Sequence, residues 1–240
     1  MAVSDQDVTV VLVHGAFAES ASWNGVIERL GAAYNVVAAA NPLRSVAGDA
    51  AYLRDVVRGV GGPVLLVGHS YAGMVITEAA ADDPMVRALV YVNAFAPETG
   101  ESALALSGKF PGSTLADTLV SYPVATGGNE VAIAQNAYHK QFVQDVSGNT
   151  AALMARTQRP VTEQALGEGL ASTTPAWKLL PSWFVFGDQD HNIPVAAHRF
   201  MAERADARGV REIVGASHAM TASQPGEVAE TIIEAVRGTS

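Results

Sequence analysis

The chain contains no cysteine. Disulfides, thiolate nucleophiles and Cys-ligated metals are thereby excluded. No apolar run reaches the roughly 18 residues of a membrane span. No cluster of Lys and Arg appears either: 15 basic residues stand against 24 acidic ones, for a net charge of −9. That balance disfavours nucleic acid and anionic membrane as partners. The opening segment, Met1 to Asp7, lacks the basic start and apolar core of a signal peptide, so a cytoplasmic location is expected. Charged residues are scarce, 16% against 49% hydrophobic. Such a composition folds into a compact core rather than remaining disordered. A length of 240 residues suffices for one large core.

What is present is an alternation of strand-like and helix-like stretches. Val8 to Val13 is apolar and mostly β-branched without alternation, the pattern of a strand buried on both faces. Ser22 to Ala32 reads as a helix with Trp23, Val26, Ile27 and Leu30 on one side. Asn35 to Ala40 reads as a second buried strand and Gly48 to Val60 as a helix. Val64 to Val67 and Val86 to Val92 are further strands, separated by a helix from Ala72 to Ala81. The pattern returns with a strand at Trp183 to Phe186, a helix at Val195 to Ala205, a strand at Val210 to Val214 and a helix at Glu227 to Val236. About six strands alternating with helices predict an α/β fold with a mainly parallel sheet covered on both faces.

The rhythm breaks from Pro97 to about Pro181. Pro97 to Tyr122 is loop-rich, Asn129 to Val146 and Thr150 to Thr157 look helical, and Thr162 suits a helix N-cap. Residues 1–96 and 182–240 are therefore expected to form the core, and 97–181 a helical cap within the same domain.

Gly68-His69-Ser70-Tyr71-Ala72-Gly73 lies between a buried strand and a helix. A serine on such a sharp turn has its hydroxyl exposed and its backbone at a helix N-terminus, as in a nucleophile elbow. Small neighbours are needed because strand and helix approach closely. Gly68 supplies one; the position usually held by a second glycine is Ala72. A serine hydroxyl needs a base, and the base needs an orienting acid. Gly187-Asp188-Gln189-Asp190 and Gly215-Ala216-Ser217-His218 each follow a strand, where ligand-binding loops of such sheets lie. Asp188 suits a turn cap, whereas Asp190 stands further into its loop, with reach towards His218. The other histidines have plainer readings. His14 shapes a turn, His69 packs, and His139 and His198 lie on helix surfaces, while His191 stands in the acid loop. The oxyanion donors are expected at the N–H of Tyr71 and in the loop after the first strand, at Ala16 with Phe17 in reserve.

His14-Gly15-Ala16-Phe17, Trp23, the Ser70 turn, Gly187 to Pro194 and Gly215 to His218 together resemble the α/β-hydrolase superfamily. The nearest group is the small cofactor-free esterases similar to plant methyl esterases and hydroxynitrile lyases. The resemblance implies Ser70, Asp190 and His218 as catalytic residues, Ala16 and Tyr71 as the oxyanion hole, and no metal or organic cofactor. It also implies a carboxylic ester hydrolase acting on small to medium apolar esters through an acyl-enzyme. Lactone, amide or C–C hydrolysis and perhydrolysis share the same triad, and a receptor-like member that only binds ligand is the alternative from another class. Two departures are visible. The strand pair that usually precedes the first strand has no counterpart, and the lysine that follows the histidine in hydroxynitrile lyases is Ala219. The second departure argues against cyanohydrin cleavage. Phe17, His191, Phe142 and Trp177 are expected to line an apolar substrate pocket.

Overall fold

The apolar runs become strands whose two faces are both covered. In the computed structural model, which describes residues 7–239, nine strands occur. In chain order they are β1 (Thr9–Val13), β2 (Asn35–Ala39), β3 (Val64–His69), β4 (Val86–Val92), β5 (Leu119–Pro123), β6 (Asn129–Ile133), β7 (Val161–Thr162), β8 (Ser182–Gly187) and β9 (Gly209–Ile213). Six of them form one parallel sheet in the order β2-β1-β3-β4-β8-β9. All but one residue of the Met1 to Asp7 segment lies outside the described residues.

The helices are α1 (Asn24–Leu30), α2 (Val46–Val60), α3 (Ala72–Ala80), α4 (Ala103–Ser107), α5 (Gln135–Phe142), α6 (Gly148–Thr157), α7 (Glu163–Gly167), α8 (Val195–Arg204), α9 (Met220–Ser223) and α10 (Pro225–Arg237). None of the described helices is long and apolar enough to cross a membrane. Strand side chains alternate between faces. Val10, Leu12, Leu65, Val67 and Val90 meet Trp23, Val26 and Leu30 at α1, and Val228, Ile232 and Val236 of α10. Val11, Val13, Leu66, Leu89 and Phe186 meet Leu53 of α2, Met74 and Ile76 of α3, and Met201 of α8. Full burial of each large apolar side chain contributes about 1.5–3 kcal/mol.

The strand expected to be buried at β2 is instead a sheet edge, and β9 is the other edge. With a neighbour on one side only, they leave Val37 and Val210 exposed. Charge protects the β9 edge: Arg211 pairs with Glu230 and Glu234 of α10, and Glu212 with Arg199 of α8. α2 begins two residues before the expected start because the Ser45 side chain caps it, accepting from the Gly48 N–H at 3.0 Å. α1 is shorter than expected, since 3-10 turns occupy Ser20–Trp23 and Gly31–Ala33.

The insertion between β4 and β8 is not purely helical. It carries an antiparallel sheet in the order β5-β6-β7 beside α4 to α7. Asn129–Ile133, expected in a helix, is β6. Its alternating Val131 and Ile133 are buried, and Gly127 and Gly128, both at positive φ, close the hairpin with β5. Thr162 does cap a helix, accepting from the Ala165 N–H at 3.1 Å.

Close packing between α3 and the chain after β4 depends on Gly73. A Cβ there would lie 2.0 Å from the Phe95 carbonyl oxygen. Gly59, exposed in α2, has nothing within 4 Å of such a Cβ. Gly73→Ala is expected to lower the free energy of unfolding by about 1–3 kcal/mol through overpacking. Gly59→Ala is expected to raise it by up to about 1 kcal/mol through helix propensity. Urea titration of both variants checks this; equal effects of the two would contradict the packing described.

Candidate active site

Ser70, Asp190 and His218 all follow carboxyl ends of parallel strands: β3, β8 and β9. β1 lies between β2 and β3, so the direction of sheet growth reverses between β1 and β3. Crevices open at such a point. Ser70 leaves β3 there, and the loop from His14 to Phe17 leaves β1 beside it.

The Ser70 turn is strained. Its φ is +57°, a left-handed value in a residue that is not glycine. The strain is held by neighbours: the Ser70 N–H donates to the Val92 carbonyl, and the Ser70 carbonyl accepts from Gly73 and Phe95. A Cβ at Gly68 would lie 2.9 Å from the backbone of Ala72, which explains the glycine.

The Ser70 Oγ is 2.8 Å from Nε2 of His218, and Nδ1 of His218 is 2.7 Å from Oδ2 of Asp190. Burial by itself would push the Asp190 carboxyl up. The His218 and His198 rings outweigh it and hold the group well below the usual carboxylate range. An ionised carboxylate only accepts, so Nδ1 of His218 carries the proton and Nε2 is left to accept from Ser70. Oδ1 of Asp190 accepts from the N–H groups of Asn192 and Ile193 at 2.8 and 2.9 Å. Asp188 does something else: its Oδ1 accepts from the Gly215 N–H at 2.7 Å and so ties the two loops together.

Three further side chains hold this arrangement. His198, expected on a helix surface, is fully buried, and its Nε2 lies 3.0 Å from the same Oδ2 of Asp190. Its ring stacks on Phe186 with centroids 5.1 Å apart, so α8 faces it inward. Asn93, directly after β4, donates from Nδ2 to the Ser217 and His218 carbonyls and accepts from the Gly187 N–H. A lone Asn ending an apolar strand was the available signal for it. His69 packs as expected, and its Nε2 donates to the His218 carbonyl at 2.9 Å.

Gly15 brings the first loop against the Ser70 turn. A Cβ on it would lie 2.6 Å from the His69 carbonyl oxygen and 2.7 Å from the Ser70 Cβ. The Phe17 N–H donates to the Arg159 carbonyl and its own carbonyl accepts from the Tyr138 hydroxyl. Phe17 is therefore committed elsewhere. The N–H groups of Ala16 and Tyr71 make no such bond among the described residues.

Ser70, Ala16, Phe17 and Tyr71 line a cavity of about 100 Å³. Its other walls are mainly apolar and come largely from the insertion, including Leu104, Leu115, Leu119 and Leu166. A larger cleft of about 360 Å³ lies across Phe17, between Ser22–Gly25 and α6, and does not contain Ser70.

The model of the alpha/beta hydrolase family matches residues 10–231. The chain belongs to that family. Its fold is similar to polyneuridine aldehyde esterase (TM-score 0.81, 22% identity, 95% of this chain and 99% of that one). It is similar also to a pyrethroid hydrolase from Sphingobium faniae JZ-2 (TM-score 0.74, 20% identity, 96% and 98% covered). A third similar structure is a methylesterase protein, MES16, from Arabidopsis (TM-score 0.80, 15% identity, 96% and 99% covered). A carbendazim hydrolyzing esterase of Nocardioides sp. (strain SG-4G) is 59% identical over 44 residues, which span 18% of this chain and 18% of that protein.

Within this hydrolase three of the four expected pocket residues are placed elsewhere. Phe17 alone lines the Ser70 cavity. Phe142 packs behind the site, its ring 5.0 Å from that of His218. The His191 ring turns towards the Lys140 carbonyl, and its neighbours Asn192 and Ile193 line the cavity instead. Trp177 donates to the Pro97 carbonyl and lies against Arg204, away from Ser70.

Two buried histidines set a pH dependence. Burial first, then repulsion between the two rings when His218 is also protonated, lowers His69 to about 3; burial lowers His14 to about 4. In the unfolded chain both titrate near the ordinary value of about 6.5. Between those limits the unfolded state binds more protons, so stability is lost as pH falls from about 6.5 towards 4. Asp190, with its lowered carboxyl, contributes a loss only below about 4. The unfolding free energy is expected to fall by up to about 1.4 kcal/mol per pH unit for each such histidine. His69→Gln should flatten that slope in urea titrations between pH 7 and 4.5; an unchanged slope would contradict it.

Proposed function

We propose that this protein is a serine hydrolase of carboxylic esters. The observation that carries this is the pair of contacts at His218, 2.8 Å to Ser70 Oγ and 2.7 Å to Asp190, beside a small apolar cavity. The polyneuridine aldehyde esterase, pyrethroid hydrolase and carbendazim esterase likenesses support an ester as the bond cleaved.

Ser70 Oγ attacks the ester carbonyl while His218 Nε2 takes its proton. The carbonyl electrons move to oxygen, which the N–H groups of Ala16 and Tyr71 stabilise. Losing one such donor costs about 3 kcal/mol of transition-state stabilisation. Collapse of this intermediate expels the alcohol, to which His218 returns the proton. Water then gives a proton to His218 and attacks the acyl-enzyme, releasing the acid and restoring Ser70. Asp190 keeps the imidazole in the needed tautomer and stabilises its cation. General acid–base catalysis supplies on the order of 10²–10⁴ in rate. Every step falls on a side chain or backbone group, so the reaction calls on no metal or organic cofactor. The cavity volume suits a short acyl group.

Treatment with an organophosphonate should place one phosphonyl group on the peptide containing Ser70, with loss of p-nitrophenyl acetate hydrolysis. Ser70→Ala should take up none. An adduct on another residue, or none in a preparation that turns over ester, would sink the proposal.

A further inference from the structure

Beyond the Ala16 and Tyr71 N–H groups, one residue of the Ser70 cavity wall, Asn192, keeps a side-chain donor group that the protein leaves without a partner. Asn192 lines that cavity and is 3% exposed. A chain of contacts that starts at a backbone carbonyl sets how its amide points. The His191 carbonyl only accepts, so the Gln141 atom 2.9 Å from it is the donor Nε2. Oε1 of Gln141 then accepts from the Thr114 hydroxyl at 2.9 Å. The same Nε2 lies 2.8 Å from the Asn192 side chain, so the atom facing it is Oδ1. What remains of Asn192 is its NH₂ group. Among the described residues that group donates to nothing, and the Asn192 backbone N–H is already spent on Asp190. Unlike the unpartnered Nδ1 atoms of His69 and His198, Nδ2 of Asn192 is not sealed in packing.

Apart from Ser70, the other polar side chains of the cavity do not compete for this role. The Tyr71 hydroxyl donates to Asp49, the Ser107 hydroxyl donates to the Leu104 carbonyl, and Ser113 is exposed to solvent. A buried amide donor without a partner is costly, so a ligand that supplies an acceptor gains by it. No Lys, Arg or His lines the cavity, and the chain carries a net charge of −9. An anionic group would enter without a counter-charge.

We propose that Asn192 is a specificity-determining residue that donates to a neutral oxygen on the acyl group of the substrate. The substrates favoured are esters whose acyl part carries an ether, keto or hydroxyl oxygen, rather than plain alkanoate esters. This rests on the ester-hydrolase reading for the identity of the reacting bond, though not for the contact itself.

The test uses p-nitrophenyl methoxyacetate and p-nitrophenyl butyrate, which match in length and differ by one oxygen in place of a methylene. The quantity read is the ratio of their kcat/KM values, which cancels general damage to the enzyme. Asn192→Leu removes the donor and leaves Gln141 bound to the His191 carbonyl. The ratio should fall about tenfold relative to wild type, the scale of one lost hydrogen bond. An unchanged ratio, whatever the absolute rates, overturns the proposal. Should Asn192→Leu fail to fold, Asn192→Ala gives the same reading. The same esters are titrated calorimetrically into Ser70→Ala, which cannot be acylated, with and without Asn192→Leu. The ratio of the two dissociation constants should favour methoxyacetate in Ser70→Ala alone, by about tenfold over the double variant. Equal ratios, or binding of neither ester, count against Asn192. Release of no p-nitrophenol by wild type together with that binding preference would sink ester hydrolysis while leaving the Asn192 contact standing.

Discussion

A carboxylate removed from water is unstable unless its oxygens are hydrogen-bonded, and Asp190 is removed almost completely. Its Oδ1 takes the N–H groups of Asn192 and Ile193, and its Oδ2 takes one nitrogen each from His198 and His218. Those donors come from the loop after β8, from α8 and from the loop after β9. The ionised Asp190 thus fixes the tautomer of His218, curls its own loop so that Asn192 and Ile193 face the cavity, and pins α8 inward through His198. The His218 ring that faces Ser70 is held by that single buried charge.

The insertion between β4 and β8 is built into this site rather than laid over it. α5 and the residues just after it touch each loop in turn. Tyr138 holds the Phe17 carbonyl, Gln141 and Gln144 hold the His191 and Gln189 carbonyls, and Asp145 accepts from the Ser217 N–H. The Phe142 carbonyl accepts from the Ala219 N–H. A change in α5 therefore moves the loops after β1, β8 and β9 together. This coupling limits how freely the insertion can open, and it links the shape of the cavity to the placement of Ser70, Asp190 and His218.

The sheet was legible because buried parallel strands write themselves as apolar runs: β1, the first four residues of β3, and β4 apart from Arg87. Ser70 and Asp190 were legible because each follows such a run directly or within a short loop, and His218 because its loop follows the last strand of the alternation. The distinction between Asp188 and Asp190 was open on residue type and became a matter of which loop N–H groups each carboxylate meets. Residues whose placement depends on side-chain direction were not legible. His198 looks like a polar position on an amphipathic helix until Asp190 is known to lie beneath it. Trp177 and Phe142 are large and apolar enough for a pocket, yet one packs against Arg204 and the other behind His218. The hairpin of β5 and β6 was masked because β5 is a short exposed strand that ends on Pro123 and so carries no buried run, although Gly127-Gly128 marks its turn.

The most direct measurement of Asp190 as the centre of this site is the kcat of Asp190→Asn beside Asp188→Asn, each checked for an unchanged fold by thermal unfolding. An asparagine at 190 keeps the shape but loses the charge and no longer enforces the proton on Nδ1 of His218, so kcat should fall on the order of 10³–10⁴-fold with a smaller change in KM. An asparagine at 188 still accepts from the Gly215 N–H, and its kcat should stay within about threefold of wild type. A crippled Asp188→Asn beside a nearly intact Asp190→Asn would contradict the account.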